Sequence, residues 1–282
     1  AAAGATEAGK VLGWDVTTID GKGDPTVWNG AIEQAVVAKA DGIVLDAVPP
    51  ALVAGAVAKA KAANIPLVSI FNPPPASPDD VFAYVRPDHP AQGKLMADWV
   101  IADSGGAAQI VLLEEPEFPE LQQRVDAFKA EIAMCSGCKV LTEVTFQIAT
   151  MADKLPGAVV SALQQQPDAT YVIAPFDTSA TFASEGVRTA GATDKVKVAG
   201  YEGDPDAIGR IAKGDVQVAS VADPAEWMGW SAIDELARAF AGQPAANVTT
   251  VSRLIDKSNV PDTEGWLGDL DFKAEFSKLW GK

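Results

Sequence analysis

Short apolar segments alternate with amphipathic segments along most of the chain. Runs of about four to eight apolar or β-branched residues predict strands, and apolar positions three or four residues apart predict helices. The predicted strands cover residues 14–20, 42–48, 66–71, 81–85, 108–113, 140–146, 170–175, 196–200, 216–221 and 248–255. The predicted helices cover 1–12, 25–40, 50–63, 91–102, 119–134, 154–166, 179–190, 205–213 and 226–241. This alternation predicts βαβ crossovers, and therefore parallel sheets with helices on both faces.

The alternation forms two series of similar length, which predicts an α/β fold with two doubly wound lobes. Strands 42–48 and 170–175 hold equivalent places in the two series, as do 66–71 and 196–200. The second series opens with a strand at 108–113, whereas the first opens with a helix. We therefore expect one further strand, the first of lobe one, to precede Ala1.

Polar residues at the carboxyl ends of these strands are the candidates for a binding site, because open α/β sheets bind ligands there. Helix capping is the alternative for each one alone, since Asp and Asn commonly cap the helix after a βα turn. Aromatic residues beside them favour one shared site. The set consists of Asp46, Asn72, Asp177, Glu202 and Asp223, with Phe71, Phe176 and Trp227.

The composition argues against several kinds of partner and of catalytic chemistry. The chain has 282 residues, with 22 Lys and Arg against 38 Asp and Glu, for a net charge of −16. That charge argues against nucleic acid as a partner, because binding to a phosphate backbone depends on basic residues. The only histidine, His89, precedes a predicted helix and is better explained as a loop or interdomain residue than as a base. No apolar run is long enough to span a membrane.

Known catalytic and cofactor motifs are missing or incomplete. GKGDPT at 21–26 lacks the third glycine of a dinucleotide fingerprint, and Pro25 there fits the first position of a helix. A Walker A sequence, a nucleophile elbow and a calcium loop are also missing. We expect neither a cofactor nor a metal, and no enzymatic activity.

Cys135 and Cys138 form a C-S-G-C pair between a predicted helix and a predicted strand. A helix N-terminus favours a thiolate, and this pair follows the C-terminal end of a helix instead. A small clasp disulfide is the favoured reading, with free thiols or a redox pair as the alternatives. A disulfide would indicate export.

Arg124 is the most informative cation, because it lies in the first turns of the helix after strand 108–113. A surface salt bridge with Glu120 or Asp126 is one reading. The functional reading is a planar guanidinium that donates paired hydrogen bonds to vicinal oxygens of a ligand.

The order of these segments resembles that of type I periplasmic solute-binding proteins of the ribose/galactose-binding kind. The similar segments are DPTVWNGAIEQAVVAKADGIVLDAVPP, IPLVSIFNPPP, YVRPDHPAQGKLMADWV, QQRVDAF, YVIAPFDTSA, VAGYEGDPDAI and VASVADPAEWMGWSAID, together spanning about 1–255. The resemblance implies two Rossmann-like lobes that close on a ligand, joined by three hinge crossings. Lobe one would comprise 1–87 and 224–250, and lobe two 88–223 and 251–282.

The resemblance also implies roles for individual residues. Asp46 matches a position that is often Asn, Phe71 and Asn72 match a polar pair, and Pro87 falls where a hydroxyl donor is common. Asp88 falls at the first hinge crossing, Arg124 matches the arginine that grips ligand oxygens, and Phe146 or Gln147 falls at a stacking position. Phe176, Glu202 and Asp223 replace a common Asn, Asp and Gln, and Asp177 and Trp227 lie beside this set.

The function implied is capture of a monosaccharide or polyol and its delivery to the permease of an ABC importer. An amino sugar suits the acidic residues as a variant. We expect an exported monomer, periplasmic or extracellular, and leave lipid anchoring open. A sensor module for a membrane signalling partner, or a sugar-processing enzyme, are the alternatives. Trp230 is expected to pack within its helix layer, and the roles of Trp28 and Trp266 are open.

Overall fold

The computed structural model describes residues 1–75, 80–261 and 265–282, which form two compact units. The first unit comprises Ala1–Pro87, Pro224–Val251 and Leu267–Lys282, and the second comprises Asp88–Asp223 and Ser252–Trp266. The chain therefore changes unit after residues 87, 223, 251 and 266, which is four passages where the resemblance implied three.

Ten strands, ten α-helices and two short 3₁₀-helices, Pro50–Val53 and Ile148–Thr150, are found among the described residues. The strands are β1 Ile43–Asp46, β2 Leu67–Ile70, β3 Ala83–Pro87, β4 Gln109–Glu114, β5 Lys139–Thr145, β6 Tyr171–Ile173, β7 Lys197–Glu202, β8 Gln217–Ala222, β9 Thr249–Thr250 and β10 Arg253–Asp256. The helices are α1 Ala2–Leu12, α2 Pro25–Val37, α3 Ala54–Ala62, α4 His89–Asp103, α5 Pro119–Ile132, α6 Met151–Gln165, α7 Asp177–Thr189, α8 Pro205–Lys213, α9 Ala225–Phe240 and α10 Phe272–Leu279.

The first unit has a four-stranded parallel sheet in the order β1-β2-β3-β9. Its core places Val68, Ile70 and Val85 of the sheet against Met228 and Trp230 of α9. In α2, Pro25 lies in the first turn and the side chain of Asp24 accepts a hydrogen bond from the Thr26 amide. This helix start explains the GKGDPT segment without a nucleotide.

The second unit has a six-stranded sheet in the order β10-β8-β7-β6-β4-β5. All neighbours are parallel except β10, which pairs antiparallel with β8. The chain runs from β4 to β5 on one side and then to β6 on the other, so the winding direction changes at β4. Such a switch point places the carboxyl ends of neighbouring strands around a crevice suited to ligands.

Two of the predicted strands, 14–20 and 248–255, differ from those in the structure. Residues 14–17 alternate between half-buried and exposed positions and residues 18–20 are exposed, and no ladder among the described residues includes 14–20. A strand is defined by its hydrogen-bonded partner, and periodicity cannot supply one. The predicted strand 248–255 is divided into β9, which pairs with β3, and β10, which pairs with β8.

The C-terminal segment also differs from expectation. We expected 251–282 to lie in lobe two, but Leu267–Lys282 belongs to the first unit. The physical reason is an aromatic contact: the Trp280 ring stacks on Trp230 of α9 at 5.3 Å between centroids, with 2° between the planes. Phe276 lies against the same indole at 6.1 Å.

Candidate functional site

Arg124 of α5 is buried in the second unit, with 1% of its surface exposed. Its Nε donates to Oε1 of Gln92 at 2.8 Å, and its Nη1 donates to the Pro175 carbonyl at 3.1 Å and to Oε1 of Glu202 at 3.2 Å. The guanidinium carbon lies 5.4 Å from the centre of the Tyr201 ring. A surface salt bridge with Glu120 or Asp126 is therefore wrong for this residue, because the guanidinium is buried and its hydrogen-bond partners are other residues.

Asp223 directly follows β8 and faces the same guanidinium. Its Oδ1 accepts from Nε2 of Gln92 at 2.6 Å and from Oγ of Ser252 at 2.7 Å. Its Oδ2 lies 3.6 Å from Nη2 of Arg124, too far for a hydrogen bond. Burial raises the pKa of Asp223, while Arg124 acts to lower it.

The two facing atoms, Oδ2 of Asp223 and Nη2 of Arg124, are both buried without a hydrogen-bond partner among the described residues. Buried polar atoms are normally hydrogen-bonded, so we expect these two to bind a group that both donates and accepts. A hydroxyl group has that character: its hydrogen suits the carboxylate and its lone pairs suit the guanidinium.

Glu202 ends β7 and turns its carboxylate to Arg124 from a strained backbone. Its φ is 97°, and Gly203 after it has a φ of 71°. A non-glycine residue in this region costs free energy and is found mostly at functional sites. The side chain keeps 31% of its surface exposed. Desolvation raises the pKa of Glu202 to about 8, against the lowering effect of Arg124.

Asp177 anchors the loop that follows Glu202. Its Oδ2 accepts from the amides of Gly203 and Asp204 and from Oγ of Ser220, at 2.8, 3.0 and 2.8 Å, and its Oδ1 accepts from Nε2 of Gln217 at 2.7 Å. These four donors occupy a carboxylate with no exposed surface. We therefore reassign Asp177 from ligand contact to loop anchor.

Phe146 and Phe176 follow β5 and β6, the two strands that flank β4. Their rings lie 6.0 Å apart and inclined by 47°, and both are almost buried. They therefore form an apolar wall at the switch point, which suits the C–H face of a ligand. Gln147 is exposed, and its Nε2 donates to Oε1 of Glu117 at 3.3 Å.

Gln92, Ser252, Glu115 and Glu120 also belong to this edge, although they were not predicted as site residues from the sequence. Glu115 follows β4 and Glu120 lies in the first turn of α5; both are buried, and each has one carboxylate oxygen without a partner among the described residues. Desolvation raises the pKa of each carboxyl to about 7. The acidic segment EEPEFPE was a signal for the pair, whereas a glutamine inside a helix carries none.

In the first unit, Asp46 ends β1, and Phe71 and Asn72 follow the neighbouring strand β2. Nδ2 of Asn72 donates to Ser69 Oγ and to the carbonyls of Val48 and Ile70, at 3.0, 3.1 and 3.0 Å. Its buried Oδ1 has no partner among the described residues. Phe71 has a φ of 71°. Ligand contact by these three residues stays a prediction.

The structure gives several other candidates local roles. Asp88 is the exposed N-cap of α4 and accepts from the Ala91 amide at 3.1 Å. Trp227 stacks on Phe272 at 6.4 Å and is better explained by packing than by ligand contact. Trp230 packs in the core of the first unit, Trp28 is buried in α2, and Trp266 joins the small apolar cluster of α8 and β10.

Three further features bear on the type of protein. Cys135 and Cys138 are joined by a disulfide. Across the described ranges, no helix is long and apolar enough to cross a membrane. Within the same ranges, no group of three or more His, Cys, Asp or Glu residues could hold a metal ion.

The protein has two α/β units. The second unit has a doubly wound sheet, with a buried Arg–Asp pair at the carboxyl ends of its strands. This architecture is typical of proteins that bind small molecules. Residues 1–244 match the family described as "Periplasmic binding protein domain". The chain belongs to this family.

Relatives within this fold have been described from several bacteria. The chain is 23% identical over 243 residues to the ribose import binding protein RbsB of Escherichia coli (strain K12), which covers 85% of this chain and 79% of RbsB. It resembles the myo-inositol binding protein of Caulobacter in complex with myo-inositol, with a TM-score of 0.80 and 23% identity over 92% of this chain and 88% of that one. A solute-binding protein of Mycobacterium smegmatis with bound glycerol gives 0.81 and 24%, over 93% and 92%.

Proposed function

We propose that this protein is an extracytoplasmic solute-binding protein that captures a monosaccharide or polyol and delivers it to the permease of an ABC importer. The observation that carries the proposal is the facing pair of buried atoms, one on Arg124 and one on Asp223, that have no hydrogen-bond partner among the described residues. Ligand hydroxyls that donate to a carboxylate and accept from a guanidinium suit this pair. The family supports export, and ribose, myo-inositol and glycerol bound by its relatives are all hydroxyl-rich.

The pair also supports selectivity for hydroxylated ligands. Charge-assisted hydrogen bonds in a buried site discriminate strongly against an analogue that lacks the hydroxyl, because Nη2 of Arg124 and Oδ2 of Asp223 would then stay without a hydrogen-bond partner. The aromatic wall of Phe146 and Phe176 would cover the apolar side of a sugar ring. We propose capture without chemical change, by a monomer whose partner is a membrane permease.

The first test is thermal unfolding with a panel of D-ribose, D-allose, D-galactose, myo-inositol, glycerol and D-glucosamine, each at millimolar concentration. A ligand at 100 times its Kd adds about 2.7 kcal/mol to the free energy of unfolding, which raises Tm by about 5–10 °C. Arg124→Ala and Asp223→Ala should abolish that rise. Arg188→Ala is the matched control, because Arg188 pairs with Asp215 on the surface of the second unit.

The results of these measurements distinguish a neutral sugar or polyol ligand from a cationic ligand, and a binding protein from an enzyme. A shift with D-glucosamine alone would indicate a cationic ligand, and a bound sugar recovered as a changed product would indicate an enzyme. A folded wild-type protein with no shift for any compound would count against the sugar and polyol proposal. An unchanged shift in Arg124→Ala or Asp223→Ala, with native circular dichroism, would remove that residue from the site.

A further inference from the structure

Gln92, in the first turn of α4, makes contacts that no other described side chain of the site duplicates. It has 1% of its surface exposed. Its Oε1 accepts from Nε of Arg124 at 2.8 Å, and its Nε2 donates to Oδ1 of Asp223 at 2.6 Å and to Oγ of Ser252 at 2.9 Å. One amide therefore bonds both members of the Arg–Asp pair.

Few side chains can replace this amide. Arg124 needs an acceptor from position 92, whereas Asp223 needs a donor, and an amide supplies both without a charge. A carboxylate would satisfy Arg124 but repel Asp223, and a methionine of similar length would satisfy neither. His89, on the same helix, brings its Nδ1 to 3.2 Å from Oε1 of Gln92 and cannot bridge the two groups from there.

Each of the three residues of this network lies close to a point where the chain passes from one unit to the other. Gln92, Asp223 and Ser252 lie near the passages after residues 87, 223 and 251. Ser252 Oγ donates to Oδ1 of Asp223 at 2.7 Å, so the bonds join three segments of the second unit that are far apart in sequence. Two bonds from one rigid amide fix the direction of both charged groups more tightly than either bond alone.

We propose that Gln92 is the positioning residue of the Arg124–Asp223 pair. It holds Nη2 of Arg124 and Oδ2 of Asp223 facing one another so that a single ligand hydroxyl meets both. The proposal rests on the proposed function, because the pair is a binding element only if this protein binds a hydroxylated solute. Gln92 itself keeps no free polar group for the ligand, so it acts through its two partners.

The test compares Gln92→Met and Gln92→Glu with the wild type by isothermal titration with each sugar of the panel. Gln92→Met should bind about 10- to 100-fold more weakly, because both charged groups lose a buried partner. Met96→Ala is the matched control. Met96 lies one turn along the same helix in the apolar core, so its loss should lower Tm and leave affinity unchanged.

Gln92→Glu adds a readout that a structural role would not move. The new carboxyl would share a proton with Asp223 at low pH, and above the raised pKa of that pair both would ionise and repel. Relative to wild type, affinity should therefore fall about tenfold or more between pH 5 and pH 8. The titratable groups facing position 92 are His89, Arg124 and Asp223, with Glu202 beyond Arg124; the wild type contains them all, so the ratio isolates the new carboxyl.

The failures are distinguishable. If the wild type binds a panel sugar and both Gln92 variants match its affinity at every pH, the positioning role is overturned. If the wild type binds no panel sugar, the proposed function fails, and the Arg124 Nε–H resonance in ¹⁵N NMR tests the positioning role instead. That resonance should shift and exchange faster in Gln92→Met and stay unchanged in Met96→Ala; the same resonance in all three proteins would overturn the proposal.

Discussion

Arg124 and Asp177 are both buried charged residues of the second unit, and their hydrogen bonding differs in one respect. Both oxygens of Asp177 are filled by donors of the protein, whereas Nη2 of Arg124 has no acceptor among the described residues. A carboxylate at the end of a strand can bind a ligand or hold a loop, and both uses require the same residue in the same place. The sequence could therefore select Asp177 but not assign its role.

Asp177→Ala tests the loop-anchor assignment. The substitution leaves four donors without their acceptor: the amides of Gly203 and Asp204, Ser220 Oγ and Gln217 Nε2. A buried donor without a partner costs about 1–3 kcal/mol, so we expect the free energy of unfolding to fall by at least about 3 kcal/mol. Chemical denaturation at pH 7 measures it. Asp206→Ala, on the exposed first turn of α8, is the control and should change stability by less than about 1 kcal/mol.

An Asp177→Ala protein as stable as wild type would show that water replaces the carboxylate without loss. In that case Asp177 would have no anchoring role, and the strained backbone at Glu202 would need another support. A loss of sugar affinity alongside the loss of stability is expected, because the anchored loop carries Glu202.

At the level of elements, strands and helices with a strong period were predictable within a few residues. Strands β1, β2, β4 and β8 all fall on predicted strands, and β2 and the centre of β4 are buried on both faces, which explains their nearly continuous apolar sequence. The errors concern which strands pair with one another. The sequence of residues 14–20 does not indicate whether a neighbouring strand pairs with them. The sequence of 248–255 does not indicate that its two halves pair with strands of different sheets.

The residues of the candidate site were predictable from the sequence to a similar extent. The ends of parallel strands pointed to Glu202 and Asp223, and helix position pointed to Arg124. Gln92 was not predictable, because its importance comes from contacts with residues more than thirty and one hundred positions away along the chain. Such contacts exist only after the helices and strands are packed.

Helix α10 is held to the first unit by the residue at its C-terminal end. Trp280, the C-cap of this helix, stacks on Trp230, whose indole is buried in the core of the first unit. Trp280→Ala removes that stacking, the apolar area it buries and the hydrogen bond that Nε1 of Trp280 donates to Oδ1 of Asp234 at 2.9 Å, and these losses together cost about 3 kcal/mol. We expect Tm to fall by about 6–12 °C and the affinity for a bound sugar to stay the same.

Leu279→Ala is the control for this helix, because Leu279 is adjacent to Trp280 in the chain and is 63% exposed. Its Tm should stay within about 2 °C of the wild type. Equal Tm values for Trp280→Ala and wild type would mean that α10 adds no stability to the first unit, and the placement of Leu267–Lys282 there would lose its energetic basis.

For the molecule as a whole, the acidic composition extends into the interior. The net charge is −16, and four carboxyls of the second unit have a pKa well above the usual range because burial disfavours their charged form. Those of Glu115, Glu120 and Asp177 are raised to about 7, and that of Glu202 to about 8. These groups bind protons in the folded state at a pH where the unfolded chain has released them.

The sign of the pH dependence follows from that difference. The free energy of unfolding rises as pH falls wherever the folded state holds more protons, so the stabilisation is complete below the unfolded pKa and is lost as pH rises towards 7 or 8. We expect Tm to increase steadily from pH 8 to pH 5. Each fully buried carboxyl should contribute at least about 1 kcal/mol over this range.

Glu115→Gln and Glu120→Gln separate this effect from relief of surface repulsion, which acts in the same direction. Each variant removes one titrating buried group, so its Tm should depend on pH less steeply than that of the wild type. Asp168→Asn changes the net charge equally at an exposed position and should keep the wild-type slope. A wild-type Tm that is flat or falls from pH 8 to pH 5 would mean that these carboxyls stay ionised in the folded protein, and the second unit would then hold a permanently charged acidic site suited to a cationic solute.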